Sequence, residues 1–430
     1  MGTPAHAAVL DVVKRGTKPE RLLVSGLLLI IVLLLLRQVF ANHLSSDFAY
    51  IWTAGKMWAL GIDPYGVSYR VFGASAFANE AVPAPRGTWV YPPQWIAIAL
   101  PFGLLPFQTA AWVWRILTAA TLCLAIVIAW RASDELDAPP PFWVKALAAL
   151  AIISGNGAAK LFDNGQTNGL ILLGISLVMI GRPRKDLFLC TAGLLLVLLK
   201  PQIGIPFSAV ALCDRSLRVP TLVAFMLTGL LCLPAFWSIG FDNTLGSLMS
   251  LQANLASYAA SVFNDPRTLS GVVSIVAYTR FATLPATVYA FAAAVACLSL
   301  LWTTQPRTVR ETLFFPALLG CEYLFMPLHL NDLLAYPLIL LFCVRWRTSS
   351  KVALALGLAI LYRPQNLTSI ILNGVSDRVF EAQIVFAGIV LITIALLIEW
   401  WRSKPLSPAR LLHDTHHPGP SREAFRTDAA

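Results

Sequence analysis

An all-α, polytopic membrane fold follows from three features of the chain. Charged residues make up 13% of its 430 positions and hydrophobic ones 57%, whereas a soluble domain carries about 25% charged residues. Mean hydropathy is +0.70, and the apolar residues gather in runs near the roughly 20 that a helix needs to cross hydrocarbon. The net charge of +10 sits in short basic clusters between those runs: Lys14, Arg15, Lys18 and Arg21; Arg182, Arg184 and Lys185; Arg215 and Arg218; Arg307 and Arg310; Arg345, Arg347 and Lys351; Arg402 and Lys404. That is the distribution of cytoplasmic loops, and it argues against nucleic acid as the reason for the charge.

Taken in order, residues 1–21 form a basic cytoplasmic N-terminus and 22–401 the multi-helix transmembrane domain. The apolar run from Leu22 to Phe40 is too long for a signal-peptide core and lacks a small-residue cleavage site, so it reads as a retained first helix. Segment 42–93 is then an extracytoplasmic loop. Apolar stretches follow at 107–130, 142–157, 168–181, 187–213, 219–237, 284–303, 311–327, 332–346, 351–362 and 383–401. Stretch 94–105 is broken by its flanking prolines Pro92, Pro93 and Pro106. Stretch 187–213 is a hairpin with Lys200-Pro201 near its middle. The expected count is about 11–13 transmembrane or re-entrant helices. The tail, 402–430, carries Pro405, Pro408, Pro418 and Pro420 and is expected to be a disordered cytoplasmic segment. Seven cysteines all lie in apolar stretches without a Cys-x-x-Cys pair, so packing accounts for them rather than a disulfide frame or zinc site.

Ionisable groups at membrane depth are costly and point to function. Lys200 follows six apolar residues and precedes a proline, so it sits at a helix break. A cation there suits an anionic group such as a lipid phosphate; a lysine snorkelling to the interface is the bland alternative. His329, Asn331 and Asp332 lie between apolar segments. The imidazole and carboxylate, three residues apart, suit proton sharing or binding of a substrate hydroxyl, but Asn and Asp are also ordinary helix caps. Asp47 lies just past the first helix and is open to the same two readings. Gln166 and Asn168 carry amides suited to sugar hydroxyls, although Asn164-Gly165 beside them is a common turn signal. The basic clusters place Gln166, Lys200 and His329 on one face, the outer one.

No Gly-x-Gly-x-x-Gly, Walker loop, His-Glu-x-x-His or loop Asp-x-Asp occurs. A nucleotide-sugar donor is therefore disfavoured, and neither metal nor cofactor is expected. A secondary transporter or flippase would also carry buried polar residues and broken helices, but no inverted repeat is visible. A non-catalytic scaffold is the weakest alternative.

Three segments, SSDFAYIWTAGKMWALGIDPYG, WVYPPQWIAIALPFGLLP and NGQTNGLILLGISLVMIGRPRKDLFLCTAGLLLVLLKPQ, resemble glycosyltransferase family 87 in order and spacing. The resemblance runs from about residue 22 to 346. It implies a GT-C-type membrane enzyme that takes a sugar, mannose being the best-known case, from a polyprenyl-phosphate donor to a glycolipid or glycan acceptor. It also implies an active site on the extracytoplasmic side of the plasma (inner) membrane. On the matching positions Asp47 would be the general base and Lys200 the contact to the donor phosphate. His329 would lie close to the reaction centre. Gln166 and Asn168 would line the cavity, with Tyr91 and Pro92 closing the first loop. Asn331 and Asp332 would join them in binding substrate. Some members carry tyrosine where this chain has Asn331, a departure that bears on the acceptor. With one base and no second carboxylate, the expected reaction is a single displacement with inversion.

Overall fold

The computed structural model describes residues 18–41, 46–78, 80, 82–261, 264–304, 307–375 and 377–402. The expected N-terminal segment up to residue 17 and the tail from 403 lie outside them. Among the described residues the fold is helical, with a lone antiparallel bridge between Ser270 and Leu328.

The chain begins with α1 (Lys18–Phe40), then α2 (Ser46–Ala59), α3 (Ser68–Ala76), α4 (Ile96–Gly103) and α5 (Phe107–Asp134). Next come α6 (Phe142–Ser154), α7 (Asn156–Asn164), α8 (Asn168–Arg184), α9 (Leu187–Leu198) and α10 (Pro201–Cys213). After α11 (Arg218–Ile239) and α12 (Thr244–Ala259) lie the short α13 (Val272–Val276), α14 (Ala286–Thr303) and α15 (Arg307–Phe325). A 3-10 helix over Leu330–Phe342 precedes α16 (Thr348–Tyr362), α17 (Pro364–Ile371) and α18 (Arg378–Arg402).

Helices α5, α11, α14 and α18 are each long and apolar enough to cross a membrane, and α6 with α7 makes a fifth such unit bent by 41°. The expected short stretches appear as shorter apolar helices at 25–40, 187–198, 201–213, 330–342 and 348–362. The chain is an all-α polytopic membrane protein among the described residues. The segment expected as a first loop is itself structured: α2 and α3 lie within it. The expected hairpin breaks where the sequence placed the break, with α9 ending at Leu198 and α10 starting at Pro201. The stretch expected as a helix over 332–346 is wound as 3-10 from Leu330. Pro337 lies inside it and, having no amide hydrogen, cannot donate to an α-helical ladder. The tighter winding rises about 2.0 Å per residue against 1.5 Å for an α-helix, so the segment reaches further through the core.

Helices α8 and α9 pack backbone to backbone. A Cβ on Gly174 would stand 2.6 Å from the Gly193 carbonyl oxygen, and one on Gly193 2.5 Å from that of Gly174. Close approach through small residues is how membrane helices associate. Here it sets the start of α8 beside the α9–α10 break. An aromatic core sits above this junction, where Phe48 stacks on Trp114 at 5.2 Å and meets Phe102 edge-on at 5.5 Å.

Candidate functional site

Pro201 opens α10 and has no amide hydrogen. The amides of Ile203 and Gly204 both turn back to the Lys200 carbonyl, at 2.9 and 2.8 Å. The carbonyls of Leu198 and Leu199 are thereby freed, and the sequence WVYPPQW supplies their donors. The Gln94 amide donates to Leu198 O at 3.3 Å and the Trp95 indole to Leu199 O at 2.8 Å. The end of the first loop thus braces the break that presents Lys200.

Lys200 points inward and is 5% exposed. Its ammonium donates to Asn168 Oδ1 at 2.9 Å and pairs with Asp332. Asn168 donates in turn to Asn331 O at 2.7 Å and to Asp332 Oδ1 at 3.2 Å. Asn331 also donates its side-chain amide to Asp332 Oδ1, at 3.2 Å. The other oxygen, Oδ2, accepts the backbone amide of His329 at 3.1 Å. Asp332 therefore caps the 3-10 helix and pairs with the lysine at once, while it meets His329 through the backbone amide and the imidazole turns to Asn264 instead. A buried charge is tolerable only with this degree of pairing.

Asp47 lies in the first turn of α2, and the Gln166 amide donates to it. Gly165 makes that contact possible. Its φ of +73° and the 2.6 Å that a Cβ would leave to Phe48 Cβ both disfavour any side chain. The Trp114 indole fixes the turn by donating to Gly165 O at 3.1 Å. Burial raises the Asp47 carboxyl to about 6, opposed by the positive charge of Lys200 and a hydrogen bond from Ser46; the charge of Asp332 adds to the rise. Among carboxylates this is the state of a base poised near neutrality.

Tyr91 packs against Trp89 and Trp95, with ring centroids 4.9 and 4.8 Å apart. Burial first, then the neighbouring Asp47, Tyr258 and Asp332, push its phenol well above the usual range. His329 is held by Asn264 Oδ1 at 3.0 Å from Nε2. Burial lowers its imidazole, with Asp332 opposing and Lys200 and Arg378 reinforcing.

The structure thus joins Gln166 to Asp47, Asn168 to Lys200, and Asn331 and His329 to Asp332, with Tyr91 beside the carboxylates. Sequence reasoning missed Tyr258 and Asn264. Asn264 Nδ2 donates to Tyr258 O at 2.6 Å while its carbonyl oxygen faces His329. Their signal was a pair of polar side chains in QANLASYAASVFNDP, a stretch too weakly apolar to span. Gln94 and Trp95 were read only as the start of the apolar stretch 94–105. Among the described residues no group of three or more His, Cys, Asp or Glu is placed to hold a metal ion.

The sequence profile of glycosyltransferase family 87 matches residues 89–328, more than half of the chain. Comparison with curated proteins and with solved structures gave no match.

Proposed function

The chain belongs to glycosyltransferase family 87 and is a membrane glycosyltransferase; on that premise we propose that it is an inverting enzyme moving a hexose, mannose by family precedent, from a polyprenyl-phosphate sugar to a hydroxyl of a glycolipid or glycan. Asp47 removes the proton of the acceptor hydroxyl. The acceptor oxygen bonds to the anomeric carbon from one face as the bond to the phosphate oxygen breaks on the other. The bonding pair leaves with the polyprenyl phosphate, and Lys200 stabilises the charge that develops there. An ammonium has three donors. Two are taken by Asn168 and Asp332, which leaves a third for a phosphate oxygen. Gln166 orients the Asp47 carboxylate. His329, Asn168, Asn331 and Tyr91 line the space around the sugar, and Asp332 holds Lys200 and His329 in register.

The observation that carries this reading is one cluster holding both a buried cation and a carboxylate raised to about 6. Neither group serves stability there without cost, and a transfer from a lipid phosphate needs both. On this reading the site lies on the extracytoplasmic side of the plasma (inner) membrane, the basic clusters supporting the side and family precedent the membrane, and a periplasmic reporter fused near Ala78 should be active. Transfer should be measured with purified Asp47→Asn and wild-type protein in liposomes containing a polyprenyl-phosphate sugar. The variant should fold and retain the donor yet form product about 10²–10⁴-fold more slowly. Product at the wild-type rate would reject Asp47 as the base.

A further inference from the structure

Apart from Tyr258 at its end, helix α12 (Thr244–Ala259) has no role in the site described above. It is about 24 Å long at 1.5 Å per residue, short of the roughly 30 Å hydrocarbon layer, and it carries no Asp, Glu, Lys or Arg. Its amphipathicity is largely inverted: polar side chains anchor it to the protein, while its outward side is mostly apolar, with Gln252 and Ser257 as exposed polar exceptions. The inward stripe is Ser247, Leu251 and Asn254. Ser247 donates to Asp63 Oδ1 at 3.1 Å, and Asn254 donates to Tyr65 O at 3.0 Å and Trp89 O at 3.1 Å. Leu251 packs on the core. The opposite side shows Leu245, Leu248, Met249 and Leu255, between 42% and 71% exposed.

A 16-residue apolar face would be a liability in water. It does not stand alone. Helix α11, a candidate membrane span, buries only Pro220, Thr221, Ala224 and Ala235. Its outward surface continues through Trp237, 76% exposed, and Phe241, 53% exposed, to Leu245. Exposed apolar surface thus passes from a spanning helix onto one too short to span, across a connecting turn that also exposes Asp242 and Asn243. We propose that α12 lies in the membrane interface of the leaflet that holds the site, its apolar face seated among acyl chains and its polar face pinned to the first-loop residues Asp63, Tyr65 and Trp89. An uncharged outer face implies seating by the hydrophobic effect, without selection for anionic headgroups. Tyr258 at the end of α12, and Asn264 beyond it, would then hold the His329 side of the site at the depth where a lipid phosphate sits.

The test is a diazirine-bearing residue introduced at Met249 in the full-length protein, reconstituted in phosphatidylcholine vesicles and illuminated. The expected major product is the chain plus one phospholipid mass. Water insertion as the major product would place the face in solvent, and a cross-linked dimer would assign it to a second copy; either overturns the proposal. A second variant, Leu245→Glu with Met249→Glu, should bring a label at Gln252 to a shallower depth in the same vesicles, read as several-fold greater access to an aqueous quencher. An unchanged depth would also overturn it. Both readouts report placement alone, so their outcome is independent of which sugar is transferred.

Discussion

The two ends of α8 each hold a buried cation, yet they are built to opposite ends. Asn168 and Arg182 stand about 21 Å apart along the helix. At the Arg182 end the guanidinium grips Asp214 Oδ2 through Nη2 at 2.8 Å and Nε at 3.2 Å, reaches Glu311 at 2.5 Å, and lies 4.0 Å over the Phe314 ring. Burial pushes Asp214 up, but the Arg182 charge and the Ser216 hydrogen bonds outweigh it and hold the carboxyl below its usual range. At the Asn168 end the cation is a lysine with a donor to spare, and the second carboxylate, Asp47, is raised rather than lowered. A fork of donors facing two carboxylates makes a saturated clamp. A point charge with a loosely matched set of partners leaves capacity for a ligand. The sign of the carboxyl shift separates the clamp from the site more sharply than burial does.

The widest separation between the two ends should come from Asp47→Asn against Asp214→Asn. Loss of a general base costs about 10²–10⁴-fold in rate. The first variant should fall in that range in a liposome transfer assay, and the second should stay close to wild type. Next, Lys200→Ala should weaken donor use by roughly 10–100-fold, from the 1.5–3 kcal/mol of a charged hydrogen bond, and weaken acceptor use less. Equal losses in separate donor and acceptor titrations would remove the phosphate role. Arg182→Met should instead lower thermal stability by about 3 kcal/mol, because it removes the ion-pair partner of the largely buried Asp214, without moving either Michaelis constant.

The comparison sharpens further with pH. Asp47 must be ionised to accept a proton, so transfer should decline as pH falls through about 6. Removing the negative charge of Asp332 takes away one cause of that elevation. The acid limb of Asp332→Asn should therefore move to lower pH, while Asp214→Asn leaves it in place. The smallest expected effect is Gly165→Ala, which forces a left-handed backbone and a contact with Phe48. Strain of about 1–3 kcal/mol should appear as a lowered melting temperature and a weaker Gln166–Asp47 pairing.

Much of this was legible locally. Lys200-Pro201 announces a broken helix because proline cannot donate, and Asn164-Gly165 announces the left-handed turn that carries Gln166 to Asp47. The pairing of the parts was not legible. Lys200 and Asp332 are 132 residues apart, and Gln166 and Asp47 are 119 apart; nothing in either segment names its partner. The 3-10 winding of Leu330–Phe342 was equally hidden, since an apolar run has no period that separates it from an α-helix. Asn264 escaped because its role depends on a contact with His329 that only the folded chain creates.

The donation from Gln94 and Trp95 to the Leu198 and Leu199 carbonyls carries a lesson for engineering. The first loop and the hairpin are not separable modules. A chimera that grafts a foreign first loop onto this scaffold must import its own amide and indole at the same spacing. Otherwise it abandons two carbonyl groups at a depth where water does not reach and each unmet acceptor costs several kcal/mol. Specificity would then have to be retuned within the loop, around a Gln-Trp pair that stays where it is.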